Sequence, residues 1–225
     1  MIAIIDYGVG NLFSLHSSLT YIGASATVTN DPAVIASADK IILPGVGAFG
    51  DAAAKLAALG LDKVIKTEVD NGKPILGICL GMQLLFDVSY EYGVHRGLGL
   101  IPGAIRPISD VIPRGYKIPK IGWNRLIFTE RGLCDPIYSA LKNDTDKAYV
   151  YFVHSYYADC PDEYVTARDV YGAPLTASVR RGNVAGVQFH PEKSGDVGLS
   201  LLRGFCFSDG HCVNASSTCT GDITI

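Results

Sequence analysis

The chain has 225 residues, of which 48% are hydrophobic and 18% charged, with a formal net charge of −3. This composition supports one sizeable α/β core, argues against global disorder, and is too near neutral to suggest nucleic acid or an anionic membrane as partner. No run approaches the roughly 18 apolar residues of a membrane span, the start "MIAIIDYGVG" lacks a basic leader and cleavage site, and six scattered cysteines without a CxxC pair suit a reducing cytoplasm better than a disulfide scaffold.

"MIAII" reads as a buried strand and "DYGVGN" as a turn. From Asn11 as cap, Leu12, Leu15, Leu19 and Ile22 recur at helical spacing until Gly23 stops them. "ATVTN" and "KIILPG" read as the next strands, the second ended by Pro44 and Gly45. "AFGDAAAKLAALG" and "LDKVIKTEVDNG" read as helices, "KPILGI" as a fourth strand and "GMQLLFDVS" as the helix after it. Short apolar strands alternating with helices imply an α/β fold with a central, mainly parallel sheet and helices on both faces. After about residue 98, "RLIF", "AYVYFVHSYYA", "EYVTARD", "LTASVRRG" and "VAGVQFH" suit an antiparallel extension. A last helix is expected from Ser194 to Phe205. Residues 1–206 therefore read as one domain and 207–225, polar and small, as a loosely held tail. The cysteines and His211 late in the chain do not have the usual zinc spacings, so no metal is expected.

The chemistry concentrates at Cys79. "G-I-C-L-G" has the form of a nucleophile elbow, Gly-x-nucleophile-x-Gly. A tight strand-to-helix turn strains the nucleophile's backbone, and neighbours carrying a Cβ clash there. The turn sets the sulfur above the sheet's carboxyl edge and at the positive end of the next helix, where thiolate is favoured. The amide of Leu80 then points toward a developing oxyanion. The bland alternative is a buried structural cysteine. "VAGVQFHPEKSG" tips the balance: His190 closes an apolar strand and Glu192 follows two residues on, which in an extended chain puts both on one face. Glu192 can orient the imidazole, giving nucleophile, base and orienter in the order Cys79, His190, Glu192.

"GICLGMQ" followed much later by "GVQFHPEKSG" resembles the class I (triad) glutamine amidotransferases. "IIDYGVGNLFSL", "PGVGAFGDA", "KIPKIGWN" and "YFVHSYY" are similar to the branch of that family serving histidine biosynthesis, over about residues 1–206. The resemblance implies glutamine hydrolysis without cofactor. It implies Gln83 as a substrate ligand, Glu91 as partner of the substrate ammonium, and the backbone of His154, Ser155 and Tyr156 as the carboxylate cradle. It implies an oxyanion strand at Pro44–Gly47, so that Gly45, Val46 and Gly47 join Leu80 as oxyanion candidates. It also implies a heterodimer with a separate cyclase subunit of (β/α)8 barrel fold, since the chain is too short to hold both activities, with Asp6, Tyr7, Gly8 and the single tryptophan, Trp123, near that partner. Three rival readings stand beside this one. Another amidotransferase, serving anthranilate or aminodeoxychorismate synthesis, is disfavoured by "DYGVGN" and "KIGWN". A thiol esterase or peptidase is separable by glutamine against ester turnover. A non-enzymatic regulatory relative is disfavoured by the presence of all three triad residues.

Overall fold

The computed structural model describes residues 1–142 and 144–208. The parallel half begins with β1 (Ile2–Ile5), α1 (Leu12–Tyr21), β2 (Ala26–Thr29), α2 (Pro32–Ser37), β3 (Lys40–Leu43), α3 (Phe49–Ala58), α4 (Leu61–Asp70) and β4 (Ile75–Ile78). Helix α2 has no apolar period to announce it. It forms because Asp31 caps it, accepting from the Ala33 amide at 2.8 Å, with Pro32 in the first turn. Asn11, expected to cap α1, makes no side-chain cap bond.

The elbow leads into α5 (Leu80–Leu84), then β5 (Phe86–Ser89), β6 (His95–Arg96) and β7 (Ile101–Pro107). The expected helix over "GMQLLFDVS" therefore stops after five residues and its second half is a strand. The cause is tertiary. The Leu84 carbonyl is taken by the Leu98 amide at 2.8 Å, and that of Leu85 by Leu100 and Ile101 at 2.8 and 3.0 Å, so the helical ladder cannot continue. Phe86, fully buried, pairs instead with Ile101.

The remaining elements are β8 (Lys120–Arg125), β9 (Ile127–Phe128), α6 (Glu130–Leu133), β10 (Tyr149–His154), β11 (Tyr156–Asp159), β12 (Val165–Val170), β13 (Pro174–Arg181), β14 (Val184–Val187) and α7 (Gly195–Phe207). The main sheet has eight strands in the order β2-β1-β3-β4-β14-β13-β12-β9. Pairings are parallel from β2 to β14 and antiparallel from β14 to β9. The antiparallel extension is thus real, but it takes only part of the expected strands. "AYVYFVHSYYA" breaks at Ser155: β10 pairs with β8 in a separate ribbon, and β11 joins β7, β5 and β6 in a third sheet.

Alternation along β1 divides the core. Ile2 and Ile4 face α1 and α7 with Leu15, Leu19, Leu201 and Leu202, while Ala3 and Ile5 face α2, α3 and α4 with Ile35, Leu56 and Ile65. Each such buried side chain contributes roughly 1.5–3 kcal/mol of transfer free energy. The Lys40 ammonium ties β3 to the end of α7 through the carbonyls of Phe205 (2.7 Å), Cys206 (3.1 Å) and Ser208. Helix α7 ends at Phe207, one residue into the expected tail; the rest of that tail beyond Ser208 lies outside the described residues. Among those residues no helix is long and apolar enough to cross a membrane, and no group of three or more His, Cys, Asp or Glu could hold a metal ion.

Candidate active site

Strand β4 lies between β3 and β14 in the middle of the main sheet, and Cys79 is the residue that leaves it. Its backbone is in a strained region, φ 54° and ψ −111°, and its amide donates to the Val187 carbonyl at 2.8 Å. The flanking glycines are sterically required. A Cβ on Gly81 would sit 1.8 Å from the Leu43 carbonyl oxygen, and one on Gly77 would sit 2.7 Å from backbone atoms of Gly81 and Met82. The β3–β4 pairing and the tight turn thus leave no space for any other residue at either position.

His190 lies just beyond β14, buried, with Glu192 equally buried behind it. The Nδ1 atom of His190 is 2.9 Å from Glu192 Oε1. The geometry that joins them differs from the expected extended chain. His190 is extended, but Pro191–Lys193 forms a single 3-10 turn that swings the carboxylate back under the ring. Burial alone drives the imidazole down, but hydrogen bonding and charge from Cys79 and Glu192 outweigh it and carry it up to about 10. Nε2 is buried without a hydrogen-bond partner of normal geometry, as is Glu192 Oε2. This turn is stapled to β10: the His190 amide donates to the Tyr151 carbonyl (3.0 Å), and the Ser194 hydroxyl donates to the His190 carbonyl (2.6 Å) while accepting from the Tyr151 amide (3.0 Å).

Gln83, a helical turn beyond Cys79, is buried. Its side-chain nitrogen donates to Gln188 Oε1 at 2.9 Å and to the Tyr156 carbonyl at 3.3 Å. That carbonyl also faces His154 Nδ1 at 2.9 Å. Burial, then the nearby Lys120 charge, pushes His154 down to about 3, so the ring is neutral and Nδ1 is the donor. Ser155 occupies the break between β10 and β11, its carbonyl accepting from the Ile108 amide at 3.0 Å. Glu91 is buried, and its Oε2 accepts from the Phe49 amide at 2.6 Å, capping α3; one carboxylate oxygen therefore already has a partner.

The Pro44–Gly47 segment lies directly against the elbow. A Cβ on Gly45 would come within 2.9 Å of the Gly81 amide nitrogen and 3.0 Å of Leu80 Cβ. Gly47 has φ +94°, a conformation L side chains rarely adopt, and Val46 points outward, 41% exposed. Leu80 heads α5, where no carbonyl one turn earlier can take its amide.

Residues 3–208 match the model of the class-I glutamine amidotransferase family. The chain belongs to that family. It is 51% identical over 205 residues to the imidazole glycerol phosphate synthase subunit HisH of Bacillus cereus, covering 91% of this chain and 93% of that one. To the subunit of the same name from Wolinella succinogenes it is 45% identical over 208 residues, covering 92% and 98%. Among solved structures, the fold is similar to that of a glutamine amidotransferase at TM-score 0.67 and 17% identity, covering 91% and 98% of the two chains. It is also similar to PurLQS from Thermotoga maritima at TM-score 0.65 and 22% identity, covering 91% and 96%.

In this amidotransferase the residues expected at a partner surface separate. Trp123 on β8 is 54% exposed, its ring 6.1 Å from that of Tyr151 on β10, beside the exposed Ile121. Gly8 is exposed in a turn closed by its amide donating to Asp6 Oδ1 at 3.0 Å. Tyr7 corrects the expectation. It is 2% exposed and offers no surface; its hydroxyl donates to the Pro44 carbonyl at 2.8 Å beneath the oxyanion candidates. Two residues with a place in the site escaped sequence reasoning. Gln188 reads as one polar residue in an apolar strand, and Ser194 as an ordinary helix start; only their proximity to "FHPE" could have marked them.

Proposed function

We propose that this amidotransferase hydrolyses glutamine to glutamate and ammonia through Cys79, His190 and Glu192. In this reading it works in the cytoplasm as a heterodimer with a separate (β/α)8 cyclase subunit, which uses the ammonia to make imidazole glycerol phosphate and AICAR in histidine biosynthesis. The observation that carries the reading is the Glu192–His190 pair at 2.9 Å beside a cysteine whose backbone is strained by the elbow.

The Cys79 sulfur attacks the side-chain amide carbon of glutamine. The carbonyl oxygen takes the charge and is met by the Leu80 amide and an amide of the Gly45–Gly47 segment. As the C–N bond breaks, His190 Nε2 gives its proton to the departing nitrogen, which leaves as ammonia. The thioester that remains is hydrolysed when neutral His190 takes a proton from water. Hydroxide attacks the carbonyl, the C–S bond breaks, and glutamate leaves. The raised imidazole supports this order, because a resting imidazolium already holds the proton the leaving group needs. Glu192 keeps Nδ1 occupied, so that Nε2 is the reacting atom. Gln83, Glu91 and the backbone at Ser155 and Tyr156 hold the amino acid.

The word "subunit" in the relatives' names supports a partner. The exposed Trp123 fits a partner-facing anchor, and the turn at Asp6 and Gly8 is a second candidate contact. Control falls to the oxyanion segment. With Tyr7 gripping the Pro44 carbonyl, one peptide is locked in the resting state, and the liganded partner favours a flipped one. The test of the core reading is labelling of the full chain with a diazoketone analogue of glutamine. Modification should fall on Cys79 and spare the other five cysteines; modification spread over Cys134, Cys160 or Cys206 would sink it.

A further inference from the structure

We propose that Gln188 is a further catalytic residue, whose side-chain amide holds the Cys79 sulfur and, through Gln83, selects the atom that meets the substrate. The inference rests on Cys79 being the nucleophile. Gln188 follows β14 directly, is fully buried, and has its backbone fixed by a 2.8 Å bond from its amide to the Ala177 carbonyl. Its side chain makes two contacts. Oε1 accepts from Gln83 Nε2 at 2.9 Å, which sets the orientation of the amide, and Nε2 then points at Cys79 Sγ, 3.7 Å away.

A structural role accounts poorly for this pairing. Burying a carboxamide is costly unless its donors find good acceptors. A neutral thiol is a weak acceptor, whereas a thiolate accepts a charge-assisted bond. The sulfur's other polar neighbours are the His190 imidazole, which the mechanism uses for proton transfer, and the Val153 carbonyl at 4.0 Å, which can only accept. Gln188 therefore commits a buried donor to an atom that becomes a good acceptor only when ionised. The bond is strong to a thiolate, weak to the thioester sulfur, and re-forms as sulfur departs in the second half of the reaction.

The second consequence concerns Gln83. Both hydrogens of its amide are engaged, one by Gln188 Oε1 and one by the Tyr156 carbonyl. Its own Oε1 is the group left for the substrate. Gln188 thereby makes Gln83 present an acceptor, fit for the ammonium or amide N–H of an amino-acid amide and unfit for a carboxylate.

Three variants of the full chain separate these roles. Gln188→Leu removes both contacts; Gln188→Glu keeps an acceptor for Gln83 but puts negative charge beside the sulfur. The pH midpoint of Cys79 alkylation by iodoacetamide should rise by about one unit in Gln188→Leu and further in Gln188→Glu. The concentration of diazoketone analogue giving half-maximal labelling should rise about tenfold in Gln188→Leu and stay within about twofold in Gln188→Glu. If neither variant folds, wild type decides. The side-chain amide NMR signal of Gln188 should move with the same midpoint as Cys79 alkylation and stop moving in Cys79→Ala. A signal indifferent to that titration, or unchanged alkylation midpoints in folded variants, overturns the role of Gln188. If the analogue labels Cys79 while the Gln188 signal stays flat, the catalytic reading survives and only this inference fails; if Cys79 is not labelled, the catalytic reading itself falls.

Discussion

Two of the buried acid–base pairs in the C-terminal half are finished differently. Arg180 on β13 meets Asp135 bidentately, Nε to Oδ2 at 2.6 Å and Nη2 to Oδ1 at 2.7 Å, and Oδ1 also accepts from the Ile137 amide at 3.0 Å. Both carboxylate oxygens are engaged. His190 and Glu192 are just as deeply buried, with Nδ1 2.9 Å from Oε1, yet among the described residues Oε2 has no hydrogen-bond partner and Nε2 has only the Cys79 sulfur. An orphaned buried atom costs about 1–3 kcal/mol, so the closed pair spends its polarity on holding the fold. The open pair leaves its deficit beside the ring that, on the proposed mechanism, handles a proton.

The sharpest way to break the comparison is at the open pair. Cys79→Ala should abolish glutamine hydrolysis and His190→Asn should lower it by several orders of magnitude, with unfolding midpoints close to wild type in both; Glu192→Gln should cost less, because that carboxylate orients the ring. Equal turnover by wild type and His190→Asn at neutral pH would show that another base serves. The closed pair should respond oppositely. Asp135→Ala leaves Arg180 without its carboxylate and should cost about 3–5 kcal/mol in urea-melt stability, while the folded fraction keeps its specific activity. Next in size is the oxyanion lock. Tyr7→Phe removes one buried hydrogen bond, about 1 kcal/mol, and should raise the unstimulated rate up to about tenfold while changing the partner-stimulated rate less. A drop in both rates together would refute the lock.

The smallest effect is a slope. His190 is raised from 6.5 to about 10 in the folded chain. A base raised on folding contributes stability that is fully present below pH 6.5 and is lost as pH rises through about 10. Urea melts from pH 6 to 10.5 should therefore show wild type losing stability relative to His190→Asn across that window. Cys79→Ala should flatten the slope, because part of the shift comes from that sulfur. The Asp135 variant should keep it, since a guanidinium does not titrate there.

The open pair was legible in sequence because it is local: His190 and Glu192 stand two residues apart in "HPE", though a 3-10 turn joins them where an extended chain was expected, and glycines two residues either side of Cys79 mark the tight turn. The parallel strands were legible because each is a bounded apolar run. What sequence hid depends on distant partners. "LLFDVS" suits helix or strand equally until residues 98–101 claim the carbonyls of Leu84 and Leu85. The break at Ser155 follows from β10 and β11 joining different sheets. Tyr7 read as a turn residue until the fold set it under Pro44, and the Asp135–Arg180 pair spans 45 positions with no local mark at either end.

The placement of β14 beside β4 has a consequence for synthesis. Cys79 and Gln188 are 109 positions apart, which takes on the order of ten seconds at ribosomal rates. Through that interval Cys79 has been made but β14 has not, so β4 lacks the strand that pairs with its second edge. His190 and Glu192 follow only after β14, and the carbonyls that Lys40 grips come last, with the end of α7. On the proposed mechanism, a half-made chain thus has its nucleophile and no base, so it leaves glutamine untouched until the sheet is closed from within.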